Sequence, residues 1–229
     1  MKTLKLMLVA SLALVSSLAA RAESSAQAWL ENYYLNPQPA GLASAVRTLS
    51  REGYFEQPGH TALAIGFLGT VFAQNPELVD RWLLQLNGLP PAHHRLIAAA
   101  LWQAGNPLGG DMLRHLDEYS SVRQQVDHLA DRGSVAIADT PVLSSSSMNL
   151  RWGAFLASGD ERHIISILEA IGTDRPGLDA AARTALAQDA AAHPRVLEIC
   201  QAQLAHQPEE VRSVLRAALD DAVLAKPRT

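Results

Sequence analysis

The sequence is poor in cysteine, in aromatic residues and in positive charge. Cys200 is the single cysteine, which excludes an intramolecular disulfide and the paired-cysteine metal and redox motifs. Stability must then come from packing, which a chain of this length can supply. Cys200 shares a helical face with Val196 and Leu204, so a buried, inert thiol is expected. Aromatics are 5% of the residues, 9 of the 12 lie between Trp29 and Trp102, and none follows Phe155. From Asp179 onward the chain relies on Ala, Leu and Val, side chains that bury little area each, which places the better core in the N-terminal half. The phosphate-cradling G-x-x-x-x-G-K-[ST] loop, the G-x-S-x-G nucleophile turn and the H-E-x-x-H zinc pattern are all missing, so no nucleotide, hydrolase or zinc signature is present. Beyond residue 22 no apolar run is long enough to cross a bilayer; the longest, Ala62 to Ala73, reads as a buried helix.

The N-terminus has a different character. Lys2 and Lys5 precede an apolar stretch from Leu6 to Ala20, and Ala20-Arg21-Ala22 offers the small-x-small pattern of a signal-peptidase site. Residues 1–22 therefore read as a secretory signal peptide, with Glu23 opening the mature chain. The rival, an uncleaved anchor, is weakened by Ser11, Ser16 and Ser17 inside the apolar stretch. Without Lys2, Lys5 and Arg21, 16 basic side chains stand against 23 acidic ones, a formal charge of −7. With no basic cluster to offset it, nucleic acid and anionic lipid are poor partners. The expected location is periplasmic or secreted, with no stable membrane insertion once the signal is removed.

The rest of the chain predicts helix after helix. Apolar residues recur at three- and four-residue spacing, and Gly or Pro punctuates the joins. Gly53, Gly88, Gly105 and Gly133 stand where left-handed C-terminal caps are expected. Gly66 and Gly69 weaken their own helix but let a neighbour approach closely. Residues 133–147, "GSVAIADTPVLSSSS", interrupt the pattern. They read as a linker or hinge, with a brief extended piece at Val135-Ala136-Ile137 and a turn at Asp139-Thr140-Pro141. The organisation predicted is a helical half over 23–132, a hinge over 133–147 and a second helical half over 148–229, an arrangement that allows two lobes. "NPELVDRW", "HPRVLEIC" and "QPEEVRSV" share a Pro in the first helical turn followed by apolar residues at matching offsets. Helix starts near 76 and 111, and near 160 and 194, lie about one hairpin period apart. The fold class expected is all-α, with stacked antiparallel helix hairpins resembling an irregular αα-solenoid or helical repeat.

Candidate chemistry centres on "RWGAFLASGDERHIISILEAIG", residues 151–172. Gly159 fits a left-handed helix stop, Asp160 the N-cap of the next helix, and Glu161 its first turn. Arg162 and His163 fall outside the Ile164–Leu168–Ile171 stripe and are expected to face solvent. The cluster therefore reads as a corner between helices rather than a catalytic group. His93 and His94 are adjacent and so point about 100° apart on a helix, a poor arrangement for sharing one ion. His115, Asp117 and His128 lack the i, i+4 spacing of a zinc helix. No cofactor or metal is expected. The carboxylate pairs Asp117-Glu118, Glu209-Glu210 and Asp220-Asp221 read as solvated faces, and Ser144–Ser147 as linker and helix cap. Among the aromatics, Trp29, Tyr33, Trp82 and Trp102 are the candidate partner-binding residues, with core packing as the competing role.

The segments "FLGTVFAQNPELVDRWLLQL", "RWGAFLASGDERHIISILEAIG" and "HPRVLEICQAQL" resemble an uncharacterised group of small exported all-helical bacterial proteins. Those share an N-P-x-x-x-x-x-W and a W-x-x-F-x-A-[ST]-G-D stretch. Some of that group carry a translation-initiation-factor label, which the signal peptide and the missing nucleotide loop do not support here. The resemblance implies export and helical structure and supplies no mechanism. The function expected is a binding or scaffolding module of the cell envelope, engaging a protein or peptide partner. Two rivals are an envelope hydrolase acting on cell-wall material and an immunity protein for a secreted toxin. A cleft where His94, Asp111 or His115 converge with a perturbed carboxylate would favour the enzyme, and a continuous apolar groove the binder.

Overall fold

A computed structural model describes residues 25–116, 127–128, 131, 133–173 and 175–225. The protein is all-α, and no strand occurs among the described residues. In chain order the helices are α1 (25–31), α2 (Leu42–Arg51), α3 (His60–Gln74), α4 (Val79–Leu86), α5 (Pro91–Gln103), α6 (Pro107–Leu116), α7 (Ser145–Ser158), α8 (Glu161–Leu168), α9 (Pro176–Ala192), α10 (Pro194–Gln203) and α11 (Glu209–Ala225). Short 3₁₀ turns join several of them. No single helix among the described residues is long and apolar enough to cross a membrane.

The centre is α3, which carries apolar residues around its circumference, as a helix enclosed by others must. Leu63, Ala64, Phe67, Leu68, Val71 and Phe72 on it are all buried. Its most extensive neighbour is α7, and α5 packs on it as well. The α3–α7 crossing is glycine-lubricated from both sides. A Cβ on Gly66 would overlap the carbonyl of Leu150, and one on Gly153 would overlap the carbonyl of Leu63 and crowd the amide of Phe67. The two backbones therefore touch at residues with no side chain, as small residues at a close crossing allow. Gly109 on α6 plays the same part against the backbone of Trp102 on α5.

One continuous core results. It runs from Ala26 and Leu30 through α2–α5 and α7–α8 to Leu186, Val196, Cys200, Leu215 and Leu219. The Ala-rich C-terminal helices contribute to it with Leu178, Ala182, Leu186 and Ala190 on one side of α9. Cys200 is fully enclosed there, and burial, with Asp189 nearby, pushes its thiol up to about 12, so it is a packing residue.

Several local expectations need correction. Residues 133–147 receive side-chain hydrogen bonds from outside the segment and hold a 3₁₀ turn. Ile137 is buried in a 3₁₀ turn, Ile137–Asp139, where an extended piece is expected from sequence. Gln103 donates to the Val135 carbonyl, Arg151 to that of Thr140 and Arg175 to that of Leu143. The serines start a helix: Ser144 accepts from the Ser147 amide and Ser147 reciprocates, a capping box that opens α7 at Ser145 rather than Met148. Helix α6 likewise starts at Pro107, not Asp111, because the Asn106 side chain accepts from the Leu108 amide. Most of the stretch between its end and 132, where the first helical half is expected to close, lies outside the described residues. Gly53, Gly105, Gly133 and Gly159 adopt positive φ as expected, but Gly88 does not; α4 ends instead in a turn from the Leu89 amide to the Leu86 carbonyl.

Candidate functional site

The corner at 158–163 is built as its sequence suggests, up to one residue. Gly159 closes α7 with φ 68°. Asp160 caps α8, accepting from the Arg162 amide at 3.0 Å. Its carboxylate also takes the Arg162 guanidinium at 2.9 and 2.6 Å. That paired hydrogen bonding holds the Asp160 carboxyl below its usual range. Glu161 and Arg162 face solvent.

His163 does not. It is 4% exposed, against the expectation of a solvent-facing ring. The buried face of α8 is wider than the anticipated stripe: His163, Ile164, Ile167 and Leu168 are enclosed together, the i, i+1, i+4, i+5 set of one broad helical face. Against the ring lies Arg151, itself 2% exposed. The Arg151 Nη1 donates to His163 Nδ1 at 3.4 Å, and its Nε and Nη2 share the Thr140 carbonyl at 2.9 and 2.6 Å. Burial, reinforced by the neighbouring guanidinium, lowers His163 to about 4. The imidazole is thus neutral at neutral pH, with Nδ1 accepting and the proton on Nε2. Sequence reasoning gave Arg151 no role. The available signal was its position three residues after Met148 and four before Phe155, on their buried face.

Beside this pair is a cavity of about 430 Å³ between the C-terminal ends of α3 and α5, the 134–138 segment and the corner. Thr70, Gln74, Gln103, Ser134, Ile137, Asp160, Arg162 and His163 are among its walls.

A second concavity, of about 580 Å³, lies between α4, α5 and α6. Leu83, Leu86, Ile97, Met112 and Leu116 line it, and His94, Asp111 and His115 do converge there with Asn87. The polar members are already engaged or turned outward. His94 Nε2 meets the Leu86 carbonyl at 3.3 Å, and Asp111 pairs with Arg114 at 2.9 Å with most of its carboxylate in solvent. Among the described residues, no three His, Cys, Asp or Glu side chains are grouped as metal ligands would be.

A third arrangement was invisible in sequence. Ser50 Oγ, at the end of α2, lies 2.8 Å from His93 Nδ1, and His93 Nε2 lies 2.8 Å from Glu56 Oε1. Since a carboxylate only accepts, Nε2 carries a proton toward Glu56, and Nδ1 faces the Ser50 hydroxyl, which can donate or accept. His93 is 4% exposed.

A comparison with protein-family models, curated proteins and solved structures finds no match to this chain. The site must be read from its own geometry. The four aromatics singled out from sequence are dispersed. Trp29 and Tyr33 pack edge-on with Phe67, and Trp82 leans on Phe72. Tyr33 and Trp82 are buried. Trp102 is half-buried, with its indole N–H enclosed and without a hydrogen-bond partner among the described residues.

Proposed function

We propose that the protein is an exported helical binding or scaffolding module of the bacterial cell envelope, periplasmic or secreted. It holds an apolar element of a protein or peptide partner in the groove between α4, α5 and α6. The observation that carries this reading is the composition of that groove. Five aliphatic or thioether side chains form its walls, while His94 meets the Leu86 carbonyl, Asp111 pairs with Arg114 and His115 is exposed. Such a surface binds by burying apolar area and has little to offer bond-breaking chemistry. The signal-like N-terminus and the resemblance of its helical segments to small exported proteins support the location.

Two neighbouring leucines test it. Leu83 lines the groove, whereas Leu84, next on α4, is 75% exposed outside it. A photo-crosslinking side chain placed at Leu83 in cells should capture a discrete partner, and one at Leu84 should not. Equal capture at both positions, or none at Leu83, refutes the groove as the binding surface.

A specific observation favours a second reading, an envelope hydrolase. The Ser50–His93–Glu56 series has the order of a nucleophile, base and orienting acid, with the imidazole nitrogens exchanged relative to the usual relay. The binding reading stands first because His93 is almost wholly enclosed, as a bridge tying α2 and the 52–59 loop to α5 would be. Labelling with a fluorophosphonate serine-hydrolase probe, abolished by Ser50→Ala, would reverse that order. No labelling of the folded protein leaves His93 as a structural bridge.

A further inference from the structure

The turn that follows α4 carries the dipeptide Asn87-Gly88, and the fold leaves both halves of it unengaged. Neither the Asn87 side chain nor the backbone amides of Asn87 and Gly88 make a hydrogen bond among the described residues. Both residues are exposed, and a Cβ on Gly88 would meet nothing within 4 Å. Asn87 also lines the groove between α4, α5 and α6, beside Leu83 and Leu86.

An asparagine side chain is open to attack by the next residue's backbone nitrogen when that nitrogen bears a hydrogen and is unhindered. The other asparagines fail one of these conditions. Asn36, Asn75 and Asn106 precede proline, which has no N–H. Asn32 precedes Tyr33, and its side chain donates to the Ala28 carbonyl. Asn149 precedes Leu150 inside α7. The Asn87 backbone is helical, with φ −61° and ψ −21°, so attack requires this last turn to open. The Leu89 amide closes it on the Leu86 carbonyl at 3.1 Å, and exposed helix ends of this kind open locally far more readily than the core.

We propose that Asn87-Gly88 is a site of spontaneous deamidation, a modification that puts a carboxylate on the wall of the α4–α6 groove and weakens its hold on an apolar partner. The Gly88 nitrogen bonds to Asn87 Cγ, and its proton leaves with the side-chain nitrogen as ammonia, closing a cyclic imide. Water then opens the ring at either carbonyl, giving aspartate or isoaspartate at position 87. One water is consumed and one ammonia released, with no change of oxidation state. The new carboxylate stands beside Leu83 and Leu86 and must lose its water when an apolar element covers the groove. Isoaspartate also lengthens the backbone of the turn between α4 and α5. The weakening rests on the partner-binding reading of the groove; the modification does not.

Mass mapping of the folded full chain, incubated at neutral and at mildly alkaline pH, tests the chemistry. Exchange of NH for O should accumulate in the peptide spanning 87–88, faster at the higher pH because the attacking nitrogen must lose its proton. Part of the product should accept a methyl group from an isoaspartyl methyltransferase. Gly88→Ala should slow the exchange by about tenfold or more, since attack needs a backbone rotation that glycine makes freely and a Cβ opposes. Asn87→Gln should abolish it. A folded chain that stays intact while the urea-unfolded chain reacts, or a rate unchanged by Gly88→Ala, overturns the site. The consequence is read with the Leu83 photo-crosslinker, where Asn87→Asp should lower partner capture severalfold relative to Asn87→Gln. Equal capture by the two overturns the weakening. Capture by neither, nor by the unsubstituted chain, refutes the groove reading and the weakening with it, while the mass mapping still decides the modification.

Discussion

Gly153→Ala is the sharpest test of how the two ends of the chain are held together. The substitution has two opposed effects. Replacing Gly by Ala inside a helix favours folding by about 1 kcal/mol. At this position, however, the new Cβ would overlap the Leu63 carbonyl and crowd the Phe67 amide. Neither obstacle is a flexible side-chain tip; both are backbone in the middle of α3, so relief requires the helices to move apart. Overpacking a tight core costs about 1–3 kcal/mol, occasionally more, and a backbone obstacle places this case at the upper end. The net expectation is a loss of about 2 kcal/mol. For a chain of this size that lowers Tm by about 4–8 °C. Gly66→Ala meets the Leu150 carbonyl across the same crossing and should cost a similar amount. The double variant should cost less than the sum, because helices already spread by one methyl accommodate the second. Gly88→Ala is the control: its Cβ meets nothing within 4 Å and its φ is not positive, so it should be close to neutral. Urea and thermal melts followed by circular dichroism measure all four. A Gly153→Ala protein at least as stable as the parent would show that the α3–α7 backbones are not in contact there, and the account of the central crossing would fail.

Further outcomes follow from the corner and its surroundings. Asp160→Ala should cost about 1 kcal/mol as a lost N-cap and Asp160→Asn much less; equal losses in melts would mean the cap contributes nothing. His163 is lowered from 6.5 to about 4 in the folded state, so the unfolded chain binds its proton first and stability falls as pH drops through that interval. In His163→Phe this part of the acid loss should vanish, and an unchanged slope of stability against pH would count against the neutral buried ring. Asp189 is held up to about 7 by burial, so its ionisation works against folding as pH rises from 3.8 towards 7; Asp189→Asn should raise stability at pH 8, and a drop would refute the shift. Arg151→Leu releases the Thr140 carbonyl and should expose 133–147 to proteolysis well below the global melt. A cleavage map identical to the parent's would show that the segment is anchored by its other contacts.

Much of the architecture was legible because it depends on neighbours in sequence. Apolar spacing predicts an all-helical chain, Gly159 and Asp160 form the stop and cap that their order implies, and Gly66 permits the close approach it was suited for. Cys200 is as enclosed as its face-mates suggest. These features follow from backbone sterics and helical periodicity, which act over a few residues. What crosses the chain could not be read that way. His93 joins Ser50 and Glu56 from more than thirty-five residues away, and no local pattern links them. The 133–147 segment looks like a linker by composition, yet three of its carbonyls are taken by Gln103 of α5, Arg151 of α7 and Arg175 just before α9. His163 falls outside the apolar stripe of its helix, and Arg151 drew no attention because it is charged; both are buried because α7 and α8 each present a face broader than the narrow apolar stripe, and because ring and guanidinium meet only once both helices are packed. Sequence alone determined the all-helical class, the Gly159–Asp160 corner and Gly66 as a point of close approach. The tertiary structure alone decided which polar side chains were drawn inside, because desolvating such a group is tolerable only where a partner from elsewhere in the chain meets it.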